Sequence, residues 1–308
     1  MDPLSGVLSL LKPQNTICGG FDVGRDWSIQ FPQHDGIKCY AIVSGRCWLS
    51  VEGVPEAVHL KAGDCFLLPL GRPFRLASDL ALEPVDFRVI HGSRPTGGVS
   101  TWNGGGDVSG VGGYFSLTGN HAGILLRVLP PIVHIHRESD RAALRWSFDR
   151  MMQELREPRP GSFLVLQHLA HMMLVQALRA HLAEGLRGGV GWLFALADEQ
   201  IGPAIDAMHG APDHPWTLRE LAEHVGMSRS GFARKFKETV GATPIDYLSR
   251  WRMLLAGDRL RNSEDSVSAI SRSLGYESES AFSTAFRRVM GCSPRQYGRD
   301  RDPADASR

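Results

Sequence analysis

At 308 residues, 43% hydrophobic and 22% charged, the chain is long enough for two cores and too apolar for global disorder. Its net charge of +1 hides an uneven split. Residues 1–214 carry 18 Lys and Arg against 21 Asp and Glu, a balance of −3, while residues 215–299 carry 14 against 9, a balance of +5. Five cysteines without a Cys-x-x-Cys pair argue against a disulfide framework, and no apolar run approaches the ~18 residues that cross a bilayer. Asp2 and Pro3 stand where a signal peptide carries Lys or Arg, so the expectation is a soluble cytosolic protein with reduced thiols and no membrane partner. The basic C-terminal third points to a polyanion.

Leu4, Val7, Leu8 and Leu11 recur at helical spacing and predict a short amphipathic helix ended by Pro13. Short apolar runs follow, at Trp27–Phe31, Cys39–Val43, Cys47–Val51, Ala57–Leu60, Cys65–Leu68, Phe74–Leu76 and Val85–Ile90. Ser44-Gly45, Glu52-Gly53, Ala62-Gly63-Asp64 and Gly71-Arg72-Pro73 punctuate them. Strands this closely spaced predict an antiparallel barrel or sandwich over residues 1–130. Residues 102–113, with Gly104-Gly105-Gly106 and Gly112-Gly113, read as a mobile loop feeding a further strand. They do not read as a dinucleotide turn, because the following Tyr114-Phe115-Ser116-Leu117 is extended where a helix is required.

Gly63-Asp64, four residues, Pro69, one residue and Gly71 resemble the second motif of the cupin barrel. The resemblance implies a His ligand at the position held here by Phe74. It also implies two His and a Glu ahead of Gly45, where this chain has only His34, with Lys38 near the expected Glu. The expectation is a cupin fold with no metal, no cofactor and no catalytic residues. His34, Tyr40, Trp48, Phe66, Arg72, Phe74, Arg75 and Arg88 are the inward candidates for an effector pocket suited to an anionic or aromatic small molecule. Cys39 and Cys47 lie on the arms of a predicted hairpin around Ser44-Gly45. A two-residue turn would set Cys47 opposite Ile42, which argues against a Cys39–Cys47 disulfide and leaves a redox role as the open alternative to simple burial.

Over 131–210 the period turns helical. His134-Ile-His136 has chelating spacing on a strand but lacks a third ligand, so a surface or hydrogen-bonded role is expected. Leu144, Phe148, Met151, Met152 and Leu155 share a face of a helix that Pro158 and Pro160 close. A second helix, Phe163 to Glu184, is apolar nearly all round, with His168 and His171 in its packed surface. One barrel covers one side of it, so this connector is expected to dimerise the chain. Gly185 to Gly191 interrupts the pattern, and a helix near Asp198–His209 leads into Ala211-Pro212-Asp213-His214-Pro215, expected to be an interdomain linker.

Residues 216–299 contain one pattern written twice: Phe232, Phe236, Gly241, Pro244, Tyr247 and, 50 residues on, Phe282, Phe286, Gly291, Pro294, Tyr297. Leu218, Leu221 and Gly226 match Val267, Ile270 and Gly275 at an offset of 49. Thr217 with Glu220 forms a capping box, and helix, glycine turn and second helix predict a helix-turn-helix unit. Its outward DNA-binding candidates are Ser228, Arg229, Ser230, Ala233, Arg234 and Lys237. Arg234 suits guanine O6 and N7, and Lys237 suits phosphate. The second unit offers Ser278, Glu279, Ser280, Ser283, Thr284 and Arg287, with Arg288 beside them, and is expected to position more than to discriminate. Between them, Pro244 opens a helix to about Leu260, a strut of ~24 Å that suits two recognition helices one DNA turn apart.

The two Phe-x3-Phe-x4-Gly-x2-Pro-x2-Tyr runs, with Gly275-Tyr276-Glu277-Ser278-Glu279-Ser280-Ala281-Phe282, resemble the C-terminal domain of the AraC/XylS transcription regulators. Ser271 departs from the Ala usual there, and its hydroxyl is expected to bond back to the helix backbone. The resemblance implies a seven-helix domain and control by an N-terminal effector-binding or dimerising domain, often a cupin. The fold class expected overall is α+β multidomain: an antiparallel cupin barrel with a helical connector, an all-α domain with two helix-turn-helix units, and a disordered tail over 300–308. Expected partners are double-stranded DNA, a small-molecule effector, a second copy of the chain and RNA polymerase, with activation and repression both open. The alternatives are a cupin enzyme fused to a DNA-binding tail, which bound iron, zinc or manganese would reveal, and a constitutive dimeric regulator, whose DNA affinity would respond to no small molecule or oxidant.

Overall fold

A computed structural model describes residues 2–11, 14–91, 97–116, 129–184 and 191–299. The expected tail over 300–308 and the glycine interruption at 185–190 lie outside these residues. The described chain falls into two units, one of 14–116 with 129–184 and one of 2–11 with 191–299.

The first unit holds strands β1 (Gln14–Val23), β2 (Ser28–Phe31), β3 (Ile37–Ser44), β4 (Arg46–Val51), β5 (Val58–Lys61), β6 (Cys65–Leu68), β7 (Phe74–Ala77), β8 (Val85–Asp86), β9 (Val99–Trp102), β10 (Val108–Ser116) and β11 (Val133–Ile135). They form a six-stranded sheet in the order β11-β6-β3-β10-β1-β9 and a five-stranded sheet in the order β5-β4-β7-β2-β8. The expected barrel is therefore not closed. Two open sheets share a core that includes Ile29, Phe31, Leu49, Leu60 and Leu76 from one and Val23, Ile42, Phe66, Leu68 and Val108 from the other.

The expected hairpin around Ser44-Gly45 is also corrected, because β3 and β4 lie in different sheets. Gly45, at φ 78°, carries the chain from one to the other, and a Cβ there would stand 2.1 Å from the Asp107 carbonyl oxygen. Val85–Ile90 is strand only over Val85–Asp86. The Asp86 carboxylate accepts the Arg88 amide at 2.8 Å and starts a short helix, α2 (Phe87–His91). The glycine-rich stretch read as a loop ends in β10, which lies between β3 and β1. Glycine is needed there because aromatic rings lie across the strand. A Cβ on Gly112 would fall 2.2 Å from the Tyr40 ring, and one on Gly110 would fall 2.4 Å from that of Phe21.

Helices α3 (Glu138–Arg156) and α4 (Ser162–Glu184) pack on one another and on the six-stranded sheet. Met151, Leu155, Ala170, Met173 and Leu174 are buried, while Trp146, Phe163, Leu164 and Met172 remain exposed.

The second unit opens with α1 (Pro3–Leu11), which the contacts place with the helical residues although it begins the chain. After α5 (Trp192–Ala195), seven helices run from Ile201 to Arg299: α6 (Ile201–Gly210), α7 (Leu218–His224), α8 (Arg229–Val240), α9 (Pro244–Asn262), α10 (Val267–Arg272), α11 (Glu279–Met290) and α12 (Pro294–Arg299). They enclose two cores, one around Ile205, Leu221, Phe232, Phe236 and Leu248, the other around Met253, Ile270, Leu274, Phe282 and Phe286. Ala211–Pro215 runs inside this unit. Arg252 donates to the carbonyls of Pro212 and His214, and the Trp216 indole donates to that of Ala211.

Candidate nucleic-acid interface and effector site

Each repeat builds the same device. Thr217 and Glu220 close a reciprocal capping box on α7, the Ser228 hydroxyl accepts the Gly231 amide to start α8, and Gly241 ends α8 at φ 79°. In the second half the Ser266 and Ser278 hydroxyls cap α10 and α11, and Gly291 ends α11 at φ 81°. Phe232 and Phe236 meet edge to face, with centroids 5.5 Å apart, and Tyr247 meets Phe236 at 5.8 Å. Phe282, Phe286 and Tyr297 repeat the arrangement at 5.7 and 5.4 Å. With these faces buried, the opposite face of each second helix is left to solvent.

On α8, Arg229, Ser230, Arg234 and Lys237 are exposed, with Ser228 at the cap and Ala233 half-buried. None of the three cations has a hydrogen-bond or ion-pair partner among the described residues. On α11, Ser280, Thr284 and Arg287 are exposed and Ser283 is half-buried. The two sets are engaged differently. Glu279 is drawn to Arg295 at 3.7 Å and Thr284 donates to the Ser280 carbonyl. Glu279 stands where the first unit has Arg229, and Thr284 where it has Arg234, so the second face is less basic. Ser271 is buried, but its hydroxyl makes no hydrogen bond among the described residues. Its carbonyl instead accepts from Leu274 and Tyr276. The strut α9 has 19 residues, about 28 Å at helical rise, longer than expected.

The eight effector candidates do not meet in one place. Phe66 and Phe74 are core. Arg72 donates to the Glu52 carbonyl, Arg75 to Ser28 and the Leu82 carbonyl, and exposed Arg88 pairs with Asp86. The His34 ring stands edge-on to Phe74, and burial with the nearby Lys38 charge lowers its pKa to about 4. Trp48 lines an open cleft away from the core. Only Tyr40 lines the cavity between the sheets, whose volume is about 110 Å³. The rest of that wall was missed in the sequence, since Phe21, Trp102 and Tyr114 come from β1, β9 and β10, along with Trp27, Phe31 and Phe87. Among the described residues that wall has no Asp, Glu, Lys, Arg or His, and burial raises the phenol of Tyr40 to about 12. Trp27 lines both this cavity and the open cleft, and its buried indole N–H has no acceptor among the described residues.

At the positions where a metal cupin places His and Glu, the Lys38 ammonium stands 4.8 Å from the Phe74 ring centroid and 5.1 Å from that of Phe31. Burial lowers the Lys38 pKa to about 8. A cation against two phenyl faces is the wrong donor set for a metal. Among the described residues no group of three His, Cys, Asp or Glu is arranged to hold one.

Two features beside this were not read from sequence. Asp64, the acid of the Gly-Asp motif, is 1% exposed and accepts from His134 Nε2 at 3.1 Å, the Lys61 amide at 3.1 Å and Arg141 Nη1 at 3.4 Å. Burial alone would raise its pKa, but these donors hold it below the usual range. The thiol close to Cys39 is Cys65, with sulfurs 3.9 Å apart, while Cys47 sits in the inter-sheet core. Burial pushes the thiols of Cys39 and Cys47 up, which makes both poor nucleophiles.

The sequence pattern of the cupin family matches residues 2–183, and that of a helix-turn-helix domain matches residues 221–300. An AraC-like transcription regulator of Streptomyces lividans is 39% identical over 96% of this chain and 98% of its own length. Another, of Streptomyces antibioticus, is 40% identical over the same shares. The HTH-type transcriptional regulator AlkR of Acinetobacter baylyi is 29% identical over 88% of this chain and 90% of its own length. No helix among the described residues is long and apolar enough to cross a membrane.

Proposed function

The chain belongs to the AraC-like transcription regulators, and we propose that it reads an operator with α8 and α11 and ties that reading to an effector held between its two sheets. The observation that carries this is the pair of matched recognition helices, with three unpaired cations on the first. Arg234 takes base contacts, Arg229 and Lys237 take phosphates, and α11 supplies register through Arg287 and its serines. Arg234→Ala is expected to cost ~1–3 kcal/mol of operator affinity and to relax preference at one base pair. Binding measured on the operator and on its single-base variants tests this, and an equal loss on every sequence would demote Arg234 to a phosphate contact.

The cavity supports a neutral, ring-containing effector, not an anionic one. Its wall is aromatic and uncharged, and the Trp27 indole offers a hydrogen bond to one acceptor. At about 110 Å³ the cavity is smaller than the ~150 Å³ that admits benzene, which limits the effector to at most one small ring. Exposed Trp146, Phe163, Leu164 and Met172 on α3 and α4 support self-association through those helices. Light scattering on the full chain should report a dimer, and a small neutral aromatic compound should raise the melting temperature. A monomer removes the first half of this reading, and unchanged melting across a panel of such compounds removes the second. The reading places the protein in the bacterial cytosol, with double-stranded DNA and RNA polymerase as its macromolecular partners. The donor set at the cupin motif offers an enzymatic alternative no support.

A further inference from the structure

The outer face of the five-stranded sheet carries a concentration of positive charge that neither DNA reading nor the inter-sheet cavity uses. There β4 and β5 set Arg46 directly opposite Lys61 and, at the next pair on that face, Trp48 opposite His59. Like charges in opposed positions repel and weaken a sheet. Neither side chain has an ion-pair or hydrogen-bond partner among the described residues, Lys61 giving only its amide to Asp64. Arg25 adds a third cation from the β1–β2 turn. It stands at φ 59°, a left-handed conformation disfavoured for arginine, and Asp107 holds it there by accepting its amide at 2.6 Å. Strain of this kind collects where a side chain has to be aimed.

Arg25, Arg46, Lys61 and Arg141 line one open cleft of about 960 Å³. Arg141 is committed to Asp64 and Glu138. The carboxylates in the same lining are Asp26 and Asp107, and Asp107 is engaged by the Arg25 amide. Three cations without ion-pair partners among the described residues thus share the cleft with two carboxylates, Asp26 and Asp107. Trp48 forms part of the wall, tilted against His59 with ring centroids 4.8 Å apart.

We propose that this cleft is an anion site, separate from the inter-sheet cavity, for a small molecule bearing at least two carboxylate or phosphoryl charges. The anion sits between Arg46 and Lys61 and relieves their repulsion, Arg25 closes on it from the turn, and the Trp48 indole covers its uncharged part. Calorimetric titration of the full chain with pyrophosphate and with citrate tests this. Arg46→Gln/Lys61→Gln removes the proposed site, and Arg234→Ala/Lys237→Ala controls for anions bound by the DNA-reading helix. Saturable binding is expected in the parent, at least tenfold weaker in the Arg46/Lys61 variant and unchanged in the Arg234/Lys237 variant. The tighter of the two probes identifies phosphoryl or carboxylate as the preferred chemistry. Without anion, the Arg46/Lys61 variant should melt no lower than the parent, because a repulsive pair has gone. Equal isotherms for parent and that variant, no saturable heat with either probe, or a clearly lowered melting temperature would overturn the proposal, the last by showing that the two cations are structural.

Discussion

Asp64→Ala should cost the sheet unit about 3–5 kcal/mol, because it takes a buried carboxylate away from three part-buried donors, one of them the Arg141 cation. The carboxylate ties three places together: the turn after β5 through the Lys61 amide, β11 through His134 and α3 through Arg141. The backbone of the same turn is bound to β3, since the Ile42 amide donates to the Asp64 carbonyl and the Gly63 amide to that of Ile42. Arg141 keeps its exposed partner Glu138, which places the expected loss near the lower end of the range. Urea denaturation of the full chain, followed by a probe in the sheet unit, reads the effect. A double-mutant cycle with Arg141→Ala should show strong coupling, and a loss under 1 kcal/mol for Asp64→Ala would make the network ornamental.

The sign of the pH dependence follows. The folded pKa of Asp64 is depressed. Its contribution is therefore fully present above the ordinary carboxylate pKa and is lost as pH falls through the depressed value. Acid should weaken the parent in that window and the Asp64→Ala protein less.

The double helix-turn-helix was legible because its determinants are local and periodic. A cap, a glycine and two phenylalanines at fixed spacing are visible along the chain before any tertiary contact forms. The sheet unit was legible as strands but not as a site. Alternation tells which residues share a face, not which face a second sheet covers, so Trp48 was read as inward although β4 turns it outward beside Arg46. Gly110 and Gly112 fall in the glycine-rich run 102–113, whose composition reads as a loop. The reason they belong in one lies in Phe21 and Tyr40, far away in sequence. Tyr114 falls in the strand expected after them, but nothing in its spacing shows that it faces the cavity. Ala211–Pro215 has the composition of a linker, and what pins it is Arg252, some 40 residues on. The Cys39–Cys65 contact spans 26 residues and two strands, and no spacing rule announces it.

Phe236→Ala and Phe286→Ala should separate packing from chemistry in the two readers. Both rings are fully buried, each meets a phenylalanine one turn earlier and a tyrosine beyond the glycine cap, and the centroid distances agree within a few tenths of an ångström. Each truncation should cost about 3–5 kcal/mol, the range for emptying a buried aromatic site, and the two losses should match within about 1 kcal/mol. Their effects on DNA should not match. Phe236→Ala loosens the helix that carries Arg229, Arg234 and Lys237, whereas Phe286→Ala loosens one where Glu279 and Thr284 replace the first two. Each phosphate contact contributes about −0.9 to the slope of log affinity against log salt. With Arg229 and Lys237 on phosphates against Arg287 alone, the slope should therefore flatten by about 1 more for Phe236→Ala than for Phe286→Ala, with a larger loss of operator preference. Equal slopes would mean that the second face grips the backbone as firmly as the first, through Arg287 and Arg288. In that case the repeat would be symmetric in chemistry as well as in packing.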